Sequence, residues 1–265
     1  MPRINEFIKI RSRPKLSKPW MIAAWPGISN VAMIVATFIA RKLECKELAE
    51  VQAPYFFDPI GVMVRHSIVE EPQFPQSRFF YWKNPIGNDL IVFIGEAQPN
   101  SNGYSLANCI VDAAEHYEVQ RIYTCAAAIT HIHHTEEPKV LGVGTSVELV
   151  KELAQYSYVQ AGNLQISGMN GMLLGVAKER GIEGACLLGE VPNYTTRINN
   201  PVAALSVTSV LCKILKIEVD LTELQAAAAE ASAGMKRIAA EAMEEYIDYF
   251  TEPIWENGEN DSDDD

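Results

Sequence analysis

Residues 130–137 read THIHHTEE, which gathers three of the chain's five histidines with two glutamates in eight positions. Imidazole nitrogens ligate metals and move protons near neutral pH, so the run is first a candidate metal site or general base. In an extended backbone His131 and His133 share one side while His134 faces away. That makes His131 and His133 a two-histidine metal pair, with Glu136 or Glu137 close by. The spacing speaks against it, since neither HExxH nor a comparable pattern occurs and His66 and His116 belong to other segments. A polar loop is the plainer reading.

Two carboxylates end apolar strands: Glu96 closes DLIVFIGE and Glu190 closes GACLLGE. Strand ends suit acid or base work, although a cap or a salt bridge with a neighbouring loop is the ordinary role there. In ISGMNGMLLG, Gly168 and Gly171 stand where a loop enters a helix and could leave backbone N–H groups open to a phosphate or carboxylate. The competing explanation is that Gly171 and Gly175 let the helix approach the sheet. GxxxxGK[ST], a strand followed by GxGxxG, and GxSxG are all absent, so no nucleotide, cofactor or serine-hydrolase signature is present. LGVGTS reads as a glycine-containing turn before a helix.

These residues need elements to hold them. WMIAAWPG predicts a buried strand and a sharp turn, followed over residues 30–42 by a helix apolar on nearly every face, which needs cover on both sides. AEVQA, VMVRHSIVE, SRFFYWKN and DLIVFIGE are strand-like runs punctuated by prolines. Helices over 104–117, 146–155, 170–180 and 202–216 then alternate with the apolar strands RIYTCAAAI and GACLLGE. That order predicts an α/β fold with a mixed, mostly parallel sheet covered on both faces. The histidine run follows the carboxyl end of a central strand, where open α/β sheets place ligand loops. Residues 221–250 predict a helix with one apolar stripe, or two helices broken near Gly234.

With 265 residues, 48% of them apolar, the chain can bury the core of one large α/β domain or two small ones. Five widely spaced cysteines without a CxxC pair indicate buried thiols in a reducing compartment, and the basic N-terminus lacks the apolar stretch of a signal peptide. Residues 20–40 carry no charge, yet Pro26-Gly27 cuts them too early for a membrane span. The net charge of −12 sits at one end: residues 220–265 hold 14 acidic and 2 basic side chains, whereas 1–219 are balanced at 20 each. Residues 1–18 form a basic head with six Lys or Arg against Glu6. Nothing basic extends further, which argues against nucleic acid as a partner. The expected organisation is a basic arm (1–18), an α/β core (19–219), a helical segment packed on it (220–250) and a disordered acidic tail (251–265).

Three segments together carry a family resemblance: GEAQP with its following helix and RIYTCAA; ISGMNGMLLGVAKERGIEGACLLGEVPNY; and NNPVAALSVTSVLCKIL. Their order resembles the proteasome assembly chaperone family, of the kind related to its second subunit, with archaeal and bacterial members. The resemblance implies a three-layer αβα sandwich similar to the nucleoside phosphorylase and peptidase type, with C-terminal helices. It also implies a non-catalytic protein, because eukaryotic members form heterodimers that hold proteasome α subunits and archaeal relatives are chaperone-like homo-oligomers. Some of these binders end in a hydrophobic residue, a tyrosine and one last residue that dock into the α ring, whereas this chain ends in DSDDD. The expectation is therefore a cytoplasmic homo-oligomer that binds a protein partner and needs no cofactor, membrane or nucleic acid. The alternative is a small-molecule enzyme, hydrolase or phosphorylase-like, with residues 130–137, Glu96, Glu190, Gly168 and Gly171 around one cleft at the carboxyl ends of the strands.

Overall fold

The computed structural model describes residues 5–59, 61–158 and 163–251, with 238–251 as backbone only. Most of the acidic stretch expected to be disordered, from residue 252 on, lies outside them. Eight strands build the main sheet: β1 (Ile8–Ile10), β2 (Trp20–Ala24), β3 (Lys46–Val51), β6 (Ser77–Trp82), β7 (Leu90–Gly95), β8 (Arg121–Thr130), β9 (Val140–Gly144) and β10 (Glu183–Pro192). Their order is β1-β3-β6-β7-β2-β8-β10-β9, and β4 (Val64–Arg65) with β5 (Ile68–Val69) forms a separate ribbon.

The sheet is mixed but mostly antiparallel, which corrects the mostly parallel sheet expected from the sequence. β1–β3, β3–β6, β6–β7 and β10–β9 pair antiparallel, and only β7–β2, β2–β8 and β8–β10 pair parallel. Connection length explains the difference. Residues 83–89 are too few for the crossover of about a dozen or more residues that a parallel neighbour requires, so β6 and β7 close as a hairpin. β9 is the second correction, since LGVG is an edge strand rather than a turn. A Cβ at Gly142 would collide with Ser157, and one at Gly144 would come within 3.2 Å of Leu149 and Val150. These glycines admit the close approach of α3 (Val147–Leu153) and of the chain just after it.

Alternation along β2 assigns the two faces. Met21, Ala23 and Trp25 pack with Ile91 and Phe93 beneath α2 (Gly103–His116) and α4 (Met169–Glu179). Ile22 and Ala24 pack with Val92, Tyr123 and Leu187 beneath α1 (Val31–Lys42) and α5 (Pro201–Leu215). The result is a three-layer α/β sandwich. The apolar helix α1 is covered by the sheet beneath it and by α5 alongside it in the same layer. α5 is started by Asn200, whose side chain accepts from Ala203 N at 3.0 Å with Pro201 in the first turn. α6 (Thr222–Thr251) lies on α5, burying Leu224, Ala228 and Met235, and runs unbroken through Gly234. Its start is clasped to the end of α1, where Arg41 takes both oxygens of Glu223 at 2.6 and 2.9 Å.

The amino ends of the central strands are tied by one arginine. Trp20 and Glu183 are both in register with Arg121, whose guanidinium donates to Glu152 at 2.8 and 3.1 Å and to Glu183 at 2.7 and 3.0 Å. At one outer edge, β1 is three residues long and carries Lys9, which with Arg11 pairs to Glu50. At the other, Tyr158 covers β9, donating its N–H to Val140 O and accepting from Gly142 N, both at 2.8 Å. Among the described residues no helix is long and apolar enough to cross a membrane.

Candidate functional site

Because β2, β8 and β10 are parallel neighbours, the segments that follow them gather along one edge of the sheet. From β2 the chain goes on to β3 on one side and from β8 to β9 and β10 on the other, so the junction of β2 and β8 is a switch in direction. Crevices outside the carboxyl ends of strands form at such switches. A cleft of about 560 Å³ lies there, floored by Ala126, Ala128 and Leu188, with Ile28 and Leu164 at its walls.

Local sequence builds both walls. After Trp25-Pro26-Gly27 the chain turns through Ser29 and Asn30 in the left-handed region and enters α1. Ser29 is buried, and its hydroxyl donates to Thr195 O at 3.0 Å while its N–H donates to Thr196 O at 3.1 Å, locking this turn to the one after β10. Opposite, Gly168 at φ +74° starts α4, a conformation that suits glycine. Gln98 spans the two walls: its Nε2 donates to Pro26 O at 2.6 Å and its Oε1 accepts from Met169 N at 3.0 Å. Gln98 thereby supplies the N-terminal cap that glycine cannot. Asn170, 4% exposed, lines the cleft from the first turn of α4, and its Oδ1 is without a hydrogen-bond partner among the described residues.

The histidine run lies off to one side of this cleft and is not extended. It closes a turn in which Glu136 N donates to His133 O at 2.9 Å and His133 N donates to the Glu136 carboxylate at 3.0 Å. His133 Nδ1 lies 2.8 Å from the Thr135 hydroxyl, and His134 takes the Tyr194 hydroxyl at both its N–H (3.1 Å) and its Nδ1 (3.0 Å). Burial, then His133 and Lys236, hold the His134 imidazole below its ordinary pKa. His131 sits at the exposed bend after β8. Among the described residues no group of three or more His, Cys, Asp or Glu side chains is placed to hold a metal. His134, Glu136 and Glu137 border a second, larger groove of about 1040 Å³ against α5 and α6.

Glu96 and Glu190 both tie loops. Glu96 accepts from Gln76 N at 2.8 Å and Glu190 from Lys139 N at 2.9 Å, each beside a backbone bond between the same two residues. Gly168 borders the strand-end cleft, and a Cβ on Gly171 would collide with Ile166 O just behind it. Of the sequence candidates, only Gly168 lines the cleft; Gly171 lies one turn further into α4, and His131, His133, Glu96 and Glu190 line neither the cleft nor the outer groove. Gln98 and Asn170 are the residues that sequence reasoning passed over. Asn170 stands between the two singled-out glycines, and its signal was an amide in the first turn of an otherwise apolar helix start.

Residues 21–239 match the PAC2 family model, and the chain belongs to that family. Its structure is similar to Pyrococcus furiosus PbaB, described as an archaeal proteasome activator, at 28% identity over 88% of this chain and 98% of that one, with a TM-score of 0.75. It is similar to Pyrococcus furiosus PbaA, an archaeal homolog of proteasome-assembly chaperone, at 25% identity over 90% and 99% of the two chains, with a TM-score of 0.67. An uncharacterized protein of Methanocaldococcus jannaschii is 29% identical over 221 residues, 82% of this chain and 81% of that one.

Proposed function

We propose that this PAC2 family chain is a non-catalytic, oligomeric binding protein of the proteasome-assembly-chaperone kind, working in the reducing cytoplasm with copies of itself and with a protein partner. The observation that carries the reading is apolar surface with no cover. The ribbon β4–β5 stands apart from the main sheet, turning at His66 and Ser67 with positive φ at both; its cross-strand pair Val64 and Val69 is 58% and 65% exposed on one face, and Met63 and Ile68 are exposed on the other. Isolated exposed apolar side chains are ordinary, whereas a contiguous group marks an interaction surface. Kinship with PbaB and PbaA gives the kind of partner. A reducing compartment is supported by five unpaired cysteines, four of them buried.

Light scattering on the full chain, with Val64→Glu/Ile68→Glu as the variant, tests the oligomer. The wild type should be a closed assembly and the variant smaller. Capture of purified proteasome α subunits from the same host tests the partner. A wild-type monomer at micromolar concentration that captures no α subunit would refute the proposal.

A further inference from the structure

The outer groove of about 1040 Å³ runs between a wall made by residues 134–140 with 154–158 and a wall made by α5 and α6. Lys139 lines it from the first wall, Lys213 and Lys236 from the second. All three are exposed, and among the described residues none of them is in an ion pair; the Lys139 ammonium has the Tyr158 ring 6.0 Å away. The lysines of the second wall stand far apart. Met235 packs beside Val202 at the start of α5 and Lys236 follows it, whereas from Val202 to Lys213 α5 rises about 16 Å. No small anion touches both ends, but an extended chain with carboxylates at intervals does. Glu136 and Glu137 also line the groove, at the Lys236 end, where the Glu136 carboxylate already accepts from His133 N at 3.0 Å. The Lys213 end is the one where negative charge is least opposed.

We propose that the acidic stretch 259–265 of the same chain lies extended in this groove, its carboxylates on Lys236, Lys139 and Lys213. Those residues read ENDSDDD, with five acidic side chains and no basic one. Chain length permits it. From Lys236 to Thr251 α6 runs on for about 22 Å, and residues 252–265 reach about 46 Å when extended. Folded back along α6, they cover that distance and the length of the groove, with about two residues to spare for the turn. The run Asp263-Asp264-Asp265 then comes to the Lys213 end, away from Glu136 and Glu137. An acidic segment from outside is the weaker occupant, because a net charge of −12 repels it. A segment joined by a short link is instead present at an effective concentration in the millimolar range. Such capture needs no second copy and holds for a monomer and an oligomer alike. Held there, the stretch closes the groove to acidic segments of other chains.

Zero-length carbodiimide crosslinking of the full chain at low salt, with linked peptides located by mass spectrometry, tests the proposal. Carboxylates of residues 259–265 should join Lys213, Lys236 and Lys139 about tenfold more often than the exposed Lys15, Lys18, Lys151 and Lys178. Denaturing electrophoresis distinguishes the chains, since a link within one chain keeps the monomer's mass and a link between copies doubles it. The groove links should sit in the monomer band. In about 1 M NaCl, where screening acts within about 3 Å, they should fall about tenfold. Lys213→Gln, a change at an exposed position, should lower the Lys236 link about threefold, with a thermal melt confirming the fold. Links spread evenly over all lysines, a preference for Lys15 and Lys18 in the basic arm, or groove links confined to the dimer band would each overturn the proposal. So would groove links that neither salt nor Lys213→Gln reduces. None of these outcomes depends on what the light-scattering and capture experiments return.

Discussion

Arg121→Met should be among the most destabilising single changes that leave the helices intact. The guanidinium is 12% exposed at the side chain and makes two bonds each to Glu152 and Glu183, with a further contact to the Tyr123 hydroxyl at 3.2 Å and the Trp20 ring 5.6 Å away. Breaking a buried pair from one side costs about 3–5 kcal/mol, because the abandoned charges stay desolvated. Here the two glutamates are 43% and 45% exposed, so water takes up much of what they lose, and the methionine keeps the stem's packing over Trp20. A loss of roughly 2–4 kcal/mol follows, or roughly 5–15 °C in Tm for a domain of this size. Urea denaturation at fixed protomer concentration measures it, since assembly would otherwise shift the midpoint. Arg121→Lys should recover only part, because an ammonium cannot serve both carboxylates through one rigid fork. A loss below about 0.5 kcal/mol, or complete rescue by lysine, would refute the claim that this fork ties the amino ends of β2, β8 and β10 together.

Two glycines four residues apart in α4 should respond in opposite directions. Gly171→Ala drives a methyl into Ile166 O and should cost about 1–3 kcal/mol, while Gly175→Ala meets open space and should gain up to about 1 kcal/mol; equal effects in urea melts would contradict the packing. His134, lowered from 6.5 by burial and by His133 and Lys236, binds its proton less well folded than unfolded. Its contribution to stability is therefore whole above pH 6.5 and is lost as the pH falls from there through the lower folded value. A histidine NMR titration should place its midpoint below 6.5, moving up in His133→Ala; a midpoint at or above 6.5 in the wild type would contradict this. Burial pushes Cys45, Cys109 and Cys186 to about 12 and Cys212 to about 11, and Cys125 well up. Ellman's reagent at about pH 8 should then find almost no fast thiol in the native protein and five on unfolding, and one full equivalent of fast reaction would show a different burial.

The longer helices were legible because their apolar stripes are long enough to fix a period, and two starts carry a capping side chain, Ser146 for α3 and Asn200 ahead of Pro201 for α5. Strand direction was not, because side-chain alternation says which face is buried and nothing about the neighbour's direction. The clue was present in the short link 83–89, which only a hairpin satisfies. LGVG hid as a turn since glycine usually marks one, whereas here Gly142 and Gly144 are small so that neighbouring chain can lie against β9. IKI at β1 is too short and too charged in its surroundings to show a pattern. In the strand-end cleft the glycines drew attention through their backbone freedom. The side chains that matter, Gln98 and Asn170, carry no motif because their role depends on two segments 72 residues apart meeting, as the Gln98–Pro26 bond shows.

The two flanks of the sheet leave little room for a further strand. A three-residue strand bearing a lysine bounds one side, and the main chain of Tyr158 occupies part of the other. Main-chain growth from molecule to molecule is thus blunted at both flanks, and copies of this chain have to meet through side chains of helices, loops and the β4–β5 ribbon. The sheet therefore offers no long open edge on which strands of successive molecules could stack, the route by which β-rich proteins grow into fibres.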